Sequence, residues 1–204
     1  MRKILVTGFE PFLNEKINPS KILLDWLKRD FAHQAETLLL PVSFTEAHKH
    51  IKSNLQHNSY DVILMLGQAG GRNKVSLERV ALNWIETEHP DEEGYKPSRG
   101  VIEEGAASAL FTSAPVTTWK EALIQKDLPV EISLSAGGYV CNYTYYQVLQ
   151  WLKTNGKASA ACFIHVPYLK EQVADKTPGT PYMELETMKE VLTEILSQVA
   201  AIPK

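Results

Sequence analysis

Cys141 lies in Ser135-Ala136-Gly137-Gly138-Tyr139-Val140-Cys141-Asn142-Tyr143, where a strand pattern over 130–135 gives way to a helical one over 143–152. The first N–H groups of a helix have no partners inside it and the macrodipole is positive there, so thiolate is favoured over thiol. Two adjacent glycines allow a sharp turn that leaves backbone N–H groups free for an oxyanion, the second requirement of acyl transfer. The competing reading is a small buried hydrophobe beside an ordinary turn. His165, in Cys162-Phe163-Ile164-His165-Val166-Pro167, stands at the carboxyl end of an apolar run that a proline terminates. An imidazole at that rim can take a thiol proton and return it to a leaving amine near neutral pH, or it can be a core histidine bonded to a carbonyl. Glu78, in Ser76-Leu77-Glu78-Arg79-Val80-Ala81-Leu82-Asn83, interrupts an apolar segment, and a carboxylate there is costly unless paired. Orienting His165 satisfies it, as does an ion pair with a lysine or arginine other than Arg79, which points to the opposite strand face. His48 and His50 flank a lysine on a polar helical stretch, two apart and so on different faces, while His33 and His57 end helical patterns and read as solvated.

Two loops extend this set. Gly67-Gln68-Ala69-Gly70-Gly71-Arg72 follows the most apolar strand but has neither the dinucleotide nor the P-loop spacing, so its backbone suits a small neutral group at least as well as a phosphate. Thr7-Gly8-Phe9-Glu10-Pro11-Phe12 follows the first strand, and Phe9 and Phe12 either wall an apolar pocket or pack in the core.

Positioning these residues requires a scaffold, and the hydrophobic periodicity supplies one. Strands are predicted over 3–9, 37–42, 60–66, 109–112, 130–134 and 160–166, with 75–85 extended. Helices are predicted from the Asn18-Pro19 start through Phe31, then over 45–55, 118–126, 143–152 and 182–201. Short apolar strands alternating with amphipathic helices predict an α/β fold, a three-layer α/β/α sandwich whose sheet is covered on both faces. Ligands on such sheets sit at the carboxyl ends of strands. A charged stretch rich in Pro and Gly runs over 86–100, and no repeat or linker divides the chain, so residues 1–204 are expected to form one catalytic domain.

At 204 residues the chain can bury roughly 70% of its unfolded surface without metal or disulfide. With 21 Lys+Arg against 24 Asp+Glu and no long basic run, nucleic acid is not an expected partner. No stretch has the length of a membrane span, and the apolar stretch after Met1-Arg2-Lys3 is too short for a secretion signal core. Two cysteines, Cys141 and Cys162, suggest a reducing cytoplasm, with Cys162 a buried, inert thiol in a strand interior.

The segments 7–12 with Asn18-Pro19-Ser20, 67–72, 78–83, 135–142 and 163–167 together resemble the pyroglutamyl peptidase I (pyrrolidone-carboxylate peptidase) family, in the family's order along nearly the whole chain. The resemblance implies a cysteine exopeptidase that hydrolyses the amide after an N-terminal pyroglutamyl residue, with a Glu78, Cys141, His165 triad. It also implies a mixed, twisted sheet, no metal or organic cofactor, a cytoplasmic location and assembly as a homo-tetramer or homo-dimer. Substrate-binding positions implied by the match are Phe9, Phe12, Asn18, Gln68, Tyr139 and Val140. The chain departs from the family after Phe12, where Leu13-Asn14-Glu15 replaces a glycine, and after Asn83, where Glu88 and His89 replace an arginine and an apolar wall residue. Two rival expectations remain: a phosphorolytic, nucleoside-type enzyme on a similar sheet, and a pyroglutamyl-peptide binding protein that lost its pocket through Glu88 and His89.

Overall fold

The computed structural model describes residues 2–201; Met1, the first residue of the opening stretch read above, lies outside them. The uninterrupted apolar runs become central strands: β1 (Ile4–Phe9) and β3 (Val62–Gln68) are buried along their whole length and pair in parallel. Such runs need cover on both faces. The six-stranded sheet has the order β2 (Ala35–Leu40), β1, β3, β8 (Ala160–Val166), β4 (Val75–Glu78), β7 (Val130–Ser133). β2, β1, β3 and β8 run parallel, while β4 lies antiparallel to β8 and parallel to β7, so the sheet is mixed.

One face carries α1 (Pro19–Asp30), α3 (Val116–Ile124) and α5 (Leu185–Ala201), packed through Leu23, Trp119, Met188 and Ile195. The other carries α2 (Phe44–His57) and α4 (Val140–Thr154), packed through Ile51, Tyr145 and Leu152, with a two-stranded ribbon of β5 (Val80–Leu82) and β6 (Ala109–Phe111) beside them. The period of two along β8 sends Cys162, Ile164 and Val166 into the first core and Ala161 and Phe163 into the second. His165 therefore faces the α4 side, while Cys162 is walled into the opposite core, as expected of an inert thiol.

α1 starts where the sequence signals it: Asn18 accepts from the Ser20 N–H and Pro19 takes the first turn. Three expectations need correction. The 75–85 stretch is two strands broken at Arg79, whose N–H donates to Ser133 of the main sheet while its carbonyl accepts from Thr112 of the ribbon segment. α4 begins at Val140 rather than Tyr143, so Cys141 is inside the first helical turn. α5 begins at Leu185, and a short 3-10 turn at Lys170–Val173 precedes it. Among the described residues no helix is long and apolar enough to cross a membrane.

Candidate active site

In the antiparallel β4–β8 pair, Ser76 stands opposite His165 and Glu78 opposite Phe163, so Glu78 and His165 are diagonal neighbours on one face. The His165 Nδ1 to Glu78 Oε1 distance is 2.7 Å, and both side chains are buried. An ionised carboxylate only accepts, so Nδ1 carries the proton and Nε2 is left with its lone pair. The Arg72 guanidinium reaches the same oxygen, Nη1 to Oε1 at 2.7 Å, and donates through Nη2 to the Ser135 carbonyl at 3.1 Å. Both sequence-level readings of Glu78 thus hold at once. Arg72 had appeared only as the last residue of a glycine-rich loop, and its pairing across the site had no signal along the chain.

Cys141 is the second residue of α4 and half-buried. The N-cap, Tyr139, supplies no side-chain acceptor to the helix, so the opening N–H groups are left uncapped. The position of the sulfur is read from Gly67: a side chain there would put its first carbon 3.2 Å from the Cys141 Sγ and 2.7 Å from the Phe163 ring. Gly67 is the register partner of His165 across β3–β8, so sulfur and imidazole border the same point of the sheet. The helix is pinned there by Asn142, which accepts from the Leu82 N–H and donates to the carbonyls of Leu82 and Trp84, and by Tyr145, whose hydroxyl donates to the Glu78 carbonyl at 2.9 Å. A side chain at Gly138 would collide with the Glu86 backbone at 2.4 Å, so that glycine is there for close approach.

The electrostatics correct one expectation. Burial, and then the charge of Glu78, push the Cys141 thiol up to about 12, against smaller help from Arg72 and the backbone. The positive helix start does not make a resting thiolate in the closed site. Burial also pushes His165 below its ordinary value, opposed by its hydrogen bond to Glu78. Glu78 falls below the usual carboxylate range: burial works against its charge, but His165, Ser133 and Arg72 outweigh it. The resting site is a neutral thiol, a neutral imidazole and a carboxylate.

Phe9, Phe12, Asn18, Gln68, Tyr139, Val140 and Cys141 line one small cavity, joined by Val42, which the sequence marked only as the end of a strand. The structure brings together every expected pocket residue. The cavity is closed, with a free volume of about 10 Å³, and Phe12 stacks on Tyr139 across it at 6.2 Å between ring centroids. Phe9 serves as wall and core at once, packing on Phe163 at 6.3 Å. Glu88 and His89 are exposed and do not line the cavity; Glu88 pairs with Lys96, and the segment is tied to the pocket by Tyr139 donating to the Pro90 carbonyl. The glycine-rich loop is not an open anion cradle: Gly70 lies under the Tyr168 ring and Gly67 under Phe163 and the Cys141 sulfur. Among the described residues no group of three His, Cys, Asp or Glu is placed to hold a metal ion.

A thiol at a helix start beside a carboxylate-bound imidazole, on a covered α/β sheet, defines a cysteine hydrolase. A family model described as pyroglutamyl peptidase, peptidase family C15, matches residues 2–202. The chain belongs to that family. It is 39% identical over 198 residues to a pyrrolidone-carboxylate peptidase of Staphylococcus aureus (strain Newman), covering 97% of this chain and 93% of the relative. A Thermococcus kodakarensis pyrrolidone-carboxylate peptidase is 37% identical, with 97% and 95% covered. The crystal structure of the pyrrolidone carboxyl peptidase of Fervidobacterium islandicum AW-1 superposes with a TM-score of 0.94 at 36% identity, covering 98% of this chain and 99% of that one. Bacillus amyloliquefaciens pyroglutamyl peptidase I gives 0.92 at 30%, with 99% and 98% covered.

Proposed function

We propose that Cys141, His165 and Glu78 carry the reaction of this family in this chain: hydrolysis of the amide that follows an N-terminal pyroglutamyl residue. The observation that carries the reading is the 2.7 Å His165–Glu78 contact on the same face, and at the same register point, as the Cys141 sulfur over Gly67. Because the resting thiol and imidazole are neutral, the proton leaves Sγ for His165 Nε2 as the sulfur attacks the carbonyl, and the imidazolium so formed is held by Glu78. The uncapped N–H groups of the α4 start are the donors available to the developing oxyanion. The imidazolium then protonates the departing amine, and water admitted in its place, deprotonated by His165, hydrolyses the thioester. The lactam is uncharged, and the residues converging on the cavity suit it in kind: apolar walls from Phe9, Phe12, Val42, Tyr139 and Val140 and the side-chain amides of Asn18 and Gln68, with the walls parting to admit a ring.

A chromogenic pyroglutamyl amide, assayed with and without iodoacetamide, tests the reading. Hydrolysis abolished by alkylation, and lowered by several orders of magnitude in Cys141→Ser and in His165→Ala with the fold intact, is expected. Near-normal turnover in either variant removes that residue from the mechanism. The whole of 1–204 is read as one catalytic domain acting in the cytoplasm without metal or organic cofactor. Assembly as a homo-dimer or homo-tetramer is read from the family resemblance, and light scattering in solution tests it.

A further inference from the structure

The pocket amides are more constrained than their presence alone requires. Leu169 donates its backbone N–H to Gln172 Oε1 at 3.0 Å, which settles which end of the Gln172 amide is oxygen, since an N–H only donates. The other end, Nε2, faces only acceptors: Gln68 Oε1 at 2.8 Å, the Ile17 carbonyl at 3.3 Å and Glu15 Oε2 at 3.4 Å. The Gln68 oxygen is therefore committed to Gln172, and its NH2, with no protein partner among the described residues, is the free end of a side chain that lines the cavity. Asn18 is committed in the same sense. Its Oδ1 accepts twice from Ser20, from the N–H at 3.0 Å and the hydroxyl at 2.8 Å, and its Nδ2 donates to the Glu10 carbonyl at 2.9 Å, which leaves one N–H. Asn18 has only a donor left for a ligand, and Gln68 offers its free NH2 while its oxygen is engaged by Gln172.

We propose that Gln172, which does not touch the cavity, is a specificity-determining positioning residue: by holding Gln68 Oε1 it presents the Gln68 side chain as a donor, as Asn18 already is, and so favours a ring that carries a carbonyl. The inference rests on the pyroglutamyl reading of the same site, and it explains a discrimination that apolar walls cannot make. A pyrrolidine ring with a ring ammonium brings donors only, whereas a lactam brings, beside its own ring N–H, a carbonyl that can accept from both amides. A site built on unpaired donors rejects the wrong ring far more strongly than one methylene of misfit could. Gln172 sits in the 3-10 turn after β8, more than a hundred residues along the chain from Gln68, which is why no pocket motif contains it.

Gln172→Met keeps the bulk and removes the donor, freeing the Gln68 amide to rotate. The expected result is a KM for a pyroglutamyl amide raised about tenfold or more with kcat within about threefold, as for a lost ground-state and transition-state contact alike. Ring recognition is read separately, without turnover, from protection of Cys141 against iodoacetamide by 2-pyrrolidinone and by its thiocarbonyl analogue. The oxo ring, the stronger acceptor, should protect better in the unaltered protein, and that preference should shrink in the variant while the unprotected alkylation rate stays the same. An unchanged KM and an unchanged oxo-to-thio preference overturn the proposal, as does a loss confined to kcat. Should Gln172→Met fail to fold, the same readings are taken on Gln172→Ala. Absence of pyroglutamyl hydrolysis in the unaltered protein, with the oxo preference present and Gln172-dependent, overturns the catalytic reading and leaves the Gln172-held donor standing.

Discussion

Two donors share one oxygen of Glu78, and the consequences are separable. His165 receives its tautomer from that oxygen and in turn does most to keep the carboxylate charged against burial, with Ser133 and then Arg72 adding smaller help. Arg72→Met should therefore let the Glu78 pKa rise and lower kcat/KM about 10- to 100-fold, the range for losing a hydrogen bond to a buried charge. Because Glu78 must be ionised to steady the imidazolium, the acid limb of the pH–kcat/KM profile should move to higher pH. A profile that drops without shifting assigns Arg72 to packing only. A second residue-scale prediction concerns the sulfur. With the thiol pushed up to about 12, alkylation of Cys141 by iodoacetamide in the free protein should climb with pH across the neutral and mildly alkaline range instead of reaching a plateau near pH 6, as a preformed thiolate–imidazolium pair would. The reactive residue types were legible because each is out of place in its segment: a carboxylate in an apolar strand, an imidazole before a strand-ending proline, a thiol after two glycines. Arg72 and Gln172 were not, since a polar residue in a polar loop carries no local anomaly and its partner is visible only after folding.

At the scale of elements, the sheet presents β3 and β8 side by side and α4 is lowered onto them until Sγ occupies the space a Gly67 side chain would need. That contact needs a residue without a side chain. Gly67→Ala should displace either the Phe163 ring or the helix start and depress turnover at least about 100-fold, since shifts near 1 Å at a reacting centre have effects of that order. A crystal structure of the variant with Cys141 unmoved and activity retained would contradict this. Asn142 is the other half of the placement: Asn142→Ala leaves a part-buried N–H and two part-buried carbonyls short of partners and should destabilise by roughly 1–3 kcal/mol, measured by urea unfolding. Central strands were legible to within two residues because continuous apolar runs admit few other fates. The start of α4 was missed by three because Tyr139 is a cap without a side-chain acceptor, leaving none of the Ser, Thr, Asp or Asn signal that marked α1 so clearly. An uncapped start is a poor boundary signal and a good place for an oxyanion, so the miss and the chemistry have one cause.

For the molecule as a whole, the reversal of β4 between β8 and β7 is what puts Glu78 diagonally beside His165, and no periodicity reports strand direction. The folded chain also buries protons together. Cys141, Cys162, Tyr60, Tyr139 and Tyr145 all hold theirs more tightly than in water, with burial the leading cause in each. In the unfolded chain the thiols release theirs from about pH 8.5 and the phenols from about pH 10. Between those values and the raised folded-state values the native state binds more protons than the unfolded state, so the free energy of unfolding must fall as pH rises. The contribution of these groups is complete below about pH 8 and is lost progressively above it, opposite in sense to Glu78 and His165, whose lowered values make stability fall on the acid side. Thermal unfolding from pH 8 to 11 should show a steadily decreasing Tm, and Cys141→Ala, which removes one of the two early-titrating groups, should flatten the first part of that decline. Cys141 is the better choice than Cys162 because it is only half-buried and its truncation leaves the opposite core intact. An alkaline slope identical in the variant and the parent would place the Cys141 thiol near its solution value when folded. In that case the sulfur already ionises without waiting for His165, and the concerted proton transfer drawn above gives way to attack by a standing thiolate.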